Sequence, residues 1–197
     1  MVTRAAYIDK NNSINQEFFF AHPETKFELN RIYNSHFTGS CLWDLFSKET
    51  KMVENSWNVS FRIMYGLPRT THRYFVEKIS KKPHVKNILI RNFLNFISQI
   101  RKSAKTVAKD LLNLIEYDVE SVTGSNLRNI MQLLEKDDIK DLTPNDAKNI
   151  VYHEVPLEEE WRIGVLQELL EVRQNEATLD NFSYKDINDM IELICVT

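Results

Sequence analysis

Apolar residues recur at three- and four-residue intervals along most of this chain, and the stretches between them carry helix caps and turn residues. Residues Thr3 to Phe20 alternate short apolar and polar groups and predict a helix, with Asn11-Asn12-Ser13 as a break or cap inside it. Pro23, whose missing N–H costs nothing at a first helical position, opens the next helix with Glu24 beside it. Phe27, Leu29, Ile32, Tyr33, His36 and Phe37 follow at helical spacing. They lead into a helix with an aromatic-rich end, Tyr33 to Phe46, which Gly39-Ser40 can interrupt. Ser47 then caps a helix that carries Val53, Trp57, Phe61 and Met64 on one side and Lys51, Asn55, Asn58 and Arg62 on the other. Gly66 falls where a left-handed C-terminal residue belongs, and Pro68 follows it.

Thr71 is the expected cap of a short helix to Ile79. Pro83 opens the clearest helix, His84 to Lys102, with Val85, Ile88, Leu89, Phe93, Phe96, Ile97 and Ile100 as its apolar stripe. Its opposite face, Asn87, Arg91, Asn95, Ser98 and Lys102, contains no acid. Ser103 is the expected cap of a helix with Val107, Leu111, Leu112 and Ile115 inward. After Thr123-Gly124-Ser125 comes a helix with Leu127, Ile130, Met131 and Leu134, and Thr143-Pro144 starts another, to about Val151. A loop with Val155-Pro156 precedes a helix from Leu157 to Val172, its stripe Leu157, Trp161, Val165, Leu169 and Val172. Ser183 caps a last helix through Ile187, Met190, Ile191 and Ile194. The fold class this predicts is all-α, a bundle of short amphipathic helices; four glycines and five prolines in 197 residues suit it.

Composition adds that 43% of residues are apolar and 27% charged, enough to bury a core. Two cysteines, Cys41 and Cys195, make neither a disulfide framework nor a metal set and suit a reducing compartment, cytoplasmic or nuclear; Cys41 is expected to be buried. The N-terminus lacks the apolar run of a signal peptide, and no window reaches the roughly 20 apolar residues of a membrane span. Without that signal the sequons at Asn11, Asn58 and Asn181 carry no weight.

Charge changes the picture more. The net charge of −3 hides three blocks. Residues 1–61 hold 6 Lys+Arg against 7 Asp+Glu, residues 62–109 hold 12 against 1, and residues 110–197 hold 7 against 20. A block of +11 followed by one of −13 implies a polyanionic partner, or pairing between the two halves. The candidate RNA- or DNA-backbone-binding residues are Asn58, Arg62, Arg69, His72, Arg73, Lys81, Lys82, Lys86, Arg91, Arg101, Lys102 and Lys105. Tyr65, Tyr74, Phe75, Phe93 and Phe96 are interleaved with them and allow base stacking.

Enzyme chemistry finds no such support. Asp137-Asp138 follows a helix, whereas a two-metal pair belongs on a hairpin. Glu158-Glu159-Glu160 reads as helix-start charge, and the five histidines show no ligand spacing. There is no Ser/His/Asp order, Gly-rich phosphate loop or nucleotide fingerprint, so neither cofactor nor metal is expected.

Two segments nevertheless look familiar in combination. IYNSHFTGSCLWDLFSKE (Tyr33, Asn34, Ser35, Phe37, Gly39, Ser40, Leu42, Trp43, Asp44, Leu45) precedes SWNVSFRIMYGLPRTTHRYFVEKIS (Ser56, Trp57, Asn58, Arg62, Leu67, Pro68, Thr71, His72, Arg73, Ile79, Ser80). This resembles the region after the polymerase domain in reverse transcriptases of animal non-LTR, LINE-like retrotransposons. Asn11–Phe18 is similar to the helix just after the palm, and Glu158–Arg173 to the tail of the same polyproteins. The resemblance implies a thumb-like helical region, residues 1–117, and an acidic helical C-terminal region, residues 118–197. It implies a module of an RNA-directed DNA polymerase that contacts the template–primer backbone, without catalysis of its own. The palm aspartates, fingers and endonuclease are expected upstream, and an apolar patch, Tyr7 to Phe20, where a palm would pack. The alternative is a helical interaction protein with self-complementary basic and acidic halves; the oligomeric state stays open.

Overall fold

A computed structural model describes residues 4–18, 20–33, 37–118, 120–150, 159–174 and 184–196. Asn34, Ser35, His36, Val151, His153, Val155-Pro156, Leu157, Glu158, Asn181 and Ser183 lie outside the described residues, as do the side chains of Tyr7 and Lys109. Among the described residues the regular elements are α-helices and short 3-10 turns, with no strand, as the hydrophobic periodicity predicts. The helices are α1 (Arg4–Glu17), α2 (Pro23–Tyr33), α3 (Lys48–Met64), α4 (Arg73–Ser80), α5 (Val85–Lys102), α6 (Thr106–Tyr117), α7 (Val122–Leu133), α8 (Glu160–Gln174) and α9 (Tyr184–Val196). The chain forms two units, one from residues 37–54 and 83–152 and the other from 2–36, 55–82 and 153–197.

The first unit is organised on α5. Val85, Leu89, Ile90 and Phe93 are fully buried, and α5 packs against α6 and the 3-10 turns Ser40–Leu42 and Asp146–Asn149. His84 caps it, its Nδ1 accepting from the Lys86 N–H at 3.1 Å. Ile90 and Leu94 are buried while Ile88 and Phe96 are half-exposed, so the inward face is wider than the expected stripe. Asparagines secure the irregular segments. Buried Asn126 on α7 accepts from the Leu45 N–H (2.9 Å) and donates to the Trp43 carbonyl (2.6 Å). Asn92 reaches Ser40 Oγ at 3.1 Å, and Asn87 reaches the Ile150 carbonyl at 3.2 Å.

These bonds explain one correction: the expected helix Tyr33–Phe46 does not form. The second helix α2 ends at Tyr33, Phe37 and Gly39 take positive φ (38° and 76°), and only the 3-10 turn Ser40–Leu42 follows. Ser47 does cap α3, its Oγ accepting from the Thr50 N–H at 3.2 Å. Ser103 ends α5, its N–H bonding the Ile100 carbonyl, and does not cap α6. Thr123-Gly124-Ser125 lies inside α7, which Ser121 caps (Oγ to the Gly124 N–H, 3.0 Å). The Thr143-Pro144 helix shrinks to a 3-10 turn, with Thr143 N–H and hydroxyl both on the Asp146 carboxylate. Cys41 is half-buried.

The second unit holds an aromatic cluster. Phe27 lies 6.3 Å from Trp57 and 5.3 Å from Phe61, centroid to centroid, and Phe61 stacks on Tyr65 at 6.3 Å. The end of α3 is a Schellman turn: Leu67 N–H bonds the Arg62 carbonyl and Gly66 N–H the Ile63 carbonyl, with Gly66 at φ 59°. Arg173 on α8 places its guanidinium on the Tyr65 and Gly66 carbonyls, a cation at a helix C-terminus. The first helix α1 runs through Asn11-Asn12-Ser13 unbroken. In α8 the buried residues are Ile163, Leu166 and Leu170, while Trp161 is 65% exposed, so the helix faces inward with a different stripe from the expected one. In α9, Ile187, Ile191 and Cys195 point inward and Met190 does not.

Candidate nucleic-acid interface

The twelve candidate residues have three different fates. Asn58 is the clearest departure. It is 2% exposed and its Nδ2 has no hydrogen-bond partner, so it belongs to the interior and not to a surface stripe. The polar residues Ser56 and Ser60 on either side of it are also buried, with the Ser60 hydroxyl turned onto the Ser56 carbonyl. On α3 it is Met52, Val59 and Ile63 that remain exposed, so polarity alone misjudges which face is buried.

A second group of cations is engaged in holding the fold. Arg62 donates from Nε (2.9 Å) and Nη2 (2.6 Å) to the Thr71 carbonyl, clamping the turn before α4. Burial, then the nearby Arg73 charge, lowers the pKa of its guanidinium, which stays charged. Thr71 itself is not the cap of α4; its hydroxyl donates to the Pro68 carbonyl and His72 takes the cap position. Arg73 donates to Asn55 Oδ1. Lys82 pairs with Glu24 at 2.8 Å and lies 4.6 Å above the Phe27 ring. Glu24 also accepts from the Tyr65 hydroxyl at 3.0 Å. Burial works to raise the Glu24 carboxyl, but Lys82 and Tyr65 outweigh it and hold it below its ordinary value. In the first unit Lys86 lies 3.9 Å from Glu54 and 4.4 Å above the Phe46 ring. Arg101 donates to the carbonyls of Ile139 and Lys140, tying the end of α5 to the 3-10 turn Ile139–Asp141.

The remaining members are exposed. In the second unit these are Arg69, in the turn after Pro68, His72 at the start of α4, and Lys81 at its left-handed C-cap. In the first unit they are Arg91 and Lys102 on the outer face of α5 and Lys105 at the N-cap of α6. Lys78, which belongs to the same basic segment, joins them on α4. It is four residues after Tyr74, a spacing that places both on one side of the helix. Of the interleaved aromatics, Tyr65, Phe75 and Phe93 are buried, and Tyr74 and Phe96 are half-exposed. His72 stacks on Tyr74 at 5.3 Å with the rings 12° from parallel. Burial, then the Glu159 charge, raises the Tyr74 phenol.

Asp137 and Asp138 are among the residues that line a cleft of about 580 Å³ beside α6 and α7. Its lining includes the buried Ile115, Leu127 and Ile139 and both signs of charge, Arg128 and Lys136 against Glu116 and the two aspartates. Asp138 Oδ1 accepts from the Lys140 N–H at 2.8 Å. Among the described residues no group of three or more His, Cys, Asp or Glu side chains converges as a metal ion requires. Nor is any helix among them long and apolar enough to cross a membrane. Comparison with protein-family models, with curated proteins and with solved structures returned no match.

Proposed function

We propose that this protein is a non-catalytic helical module that binds the sugar–phosphate backbone of nucleic acid, through Arg69, Lys78 and Lys81 on one unit and Arg91, Lys102 and Lys105 on the other. The observation that carries the reading is their exposure within a segment that holds 12 basic residues and the single acid Glu77. Glu77 is half-buried, so the one opposing carboxylate is partly withdrawn from that surface. The resemblance of Tyr33–Ser80 to the post-palm region of non-LTR reverse transcriptases points the same way, and to a template–primer duplex as the natural ligand, with a polymerase palm as a further partner. Under this reading the Arg62, Lys82, Lys86 and Arg101 cations serve the fold and contribute to binding only through it.

The test is a triple neutralisation, Arg91→Gln, Lys102→Gln and Lys105→Gln, compared with Lys140→Gln and Lys148→Gln, two exposed lysines of the acidic region. Binding to an RNA–DNA hybrid at about 50 mM salt is expected to fall at least tenfold in the triple variant and to hold in the control. Equal losses in both would refute a specific basic surface.

A second reading, a helical interaction protein, has its own support. The outer face of α6 presents Val107, Leu111, Leu114 and Tyr117, with Tyr117 83% exposed. Self-association at low salt with no nucleic-acid binding is the outcome that selects it.

A further inference from the structure

Tyr74 is anchored from the interior outward. Phe75, fully buried, meets Tyr74 edge to face at 4.6 Å, and Tyr74 in turn stacks on His72, whose ring is exposed. The ladder is fixed at its base by the Arg62 clamp on the carbonyl of Thr71, the residue before His72. Glu159, whose charge raises the Tyr74 phenol, is held in a two-pronged pair with Arg162 at 2.9 and 3.0 Å, which offsets its charge. The stack therefore carries an exposed ring on a base fixed by the interior, in a segment whose Arg69, Lys78 and Lys81 are exposed. Lys78 follows Tyr74 by four residues on the same side of α4, about 6 Å of helix rise, and Lys81 stands at the C-cap three residues further on. Arg69 precedes the ladder by three residues in the same turn.

We propose that the His72–Tyr74 stack is a nucleobase platform and that this unit takes a single strand with unpaired bases, its phosphates running toward Lys78 and Lys81. A duplex has no base face free to lie on such a platform, whereas every unpaired base has one. This rests on the nucleic-acid reading above and, for this unit, replaces the duplex with an unpaired strand.

The experiment measures binding of the full chain at low salt to three labelled probes of about 15 nucleotides. They are an oligothymidylate, an abasic sugar–phosphate strand of the same charge, and a duplex. The unaltered protein is expected to bind oligothymidylate more tightly than the abasic strand. His72→Ala and Tyr74→Ala should each weaken oligothymidylate binding about 5- to 150-fold while leaving the abasic strand and duplex nearly unchanged. Tyr74→Phe, which keeps the ring, should restore it. Equal affinity for oligothymidylate and the abasic strand overturns the platform, as does a uniform loss on all three probes. His72 is exposed, so His72→Ala decides the question even if Tyr74→Ala fails to fold. Absence of binding to every probe overturns the underlying nucleic-acid reading, a result distinct from binding that ignores the bases.

Discussion

Arg101 and Lys102 are adjacent, equally basic and differently employed. Arg101 spends its guanidinium on two backbone carbonyls, whereas Lys102 is exposed on the outer face of α5. Arg101→Ala should therefore cost about 1–3 kcal/mol, and Lys102→Ala less than about 0.5 kcal/mol, in urea unfolding. Charge composition made both visible in the sequence and could not separate them, because the difference lies in which carbonyls a tertiary contact brings near. Asn58 was illegible for a related reason: a polar residue four positions from Arg62 reads as surface unless its neighbours in space are known. Glu24 gives the pH dependence at this scale. Its folded carboxyl titrates below the ordinary 4.5, so its contribution is present above that pH and is lost as acid protonates the folded form. Glu24→Gln should lower stability at neutral pH and match the unaltered protein in strong acid. Parallel curves across the acid range would refute the Lys82–Glu24–Tyr65 network.

Helices with one apolar stripe and a proline start were readable, and helices with two stripes were not. Pro83 and a continuous stripe gave α5 to within a residue; His84, expected as its first residue, is its cap. In α6 the set Val107, Leu111 and Leu114 competes with Ala108, Leu112 and Ile115; both have helical spacing, and packing chose the second. In α8 the buried set Ile163, Leu166 and Leu170 likewise displaced Trp161, Val165 and Leu169. Two glycines within helices test the element scale with opposite signs. A Cβ on Gly124 would sit 2.0 Å from the Asp118 carbonyl oxygen, so Gly124→Ala should destabilise by about 2–4 kcal/mol. Gly164 in α8 has open space, and Gly164→Ala should stabilise by about 1 kcal/mol. Thermal or urea unfolding of the pair checks both, and destabilisation by Gly164→Ala would contradict the geometry of α8.

For the whole molecule the sequence carried the all-α class and the charge blocks, but not the grouping of segments into units. That grouping depends on bonds such as Asn126 to Trp43 and Leu45, more than eighty residues apart in the chain, which no local pattern encodes. The charge asymmetry survives folding as two sets of exposed cations, one on each unit. The most direct measurement is the affinity of the full chain for single-stranded RNA and for an RNA–DNA hybrid as monovalent salt is raised from about 50 to 200 mM. Phosphate contact predicts that log affinity falls linearly with log salt, with a slope of about −0.7 per neutralised phosphate on the single strand and about −0.9 on a duplex. Binding that is undetectable at the lowest salt, or unchanged across the range, would contradict it.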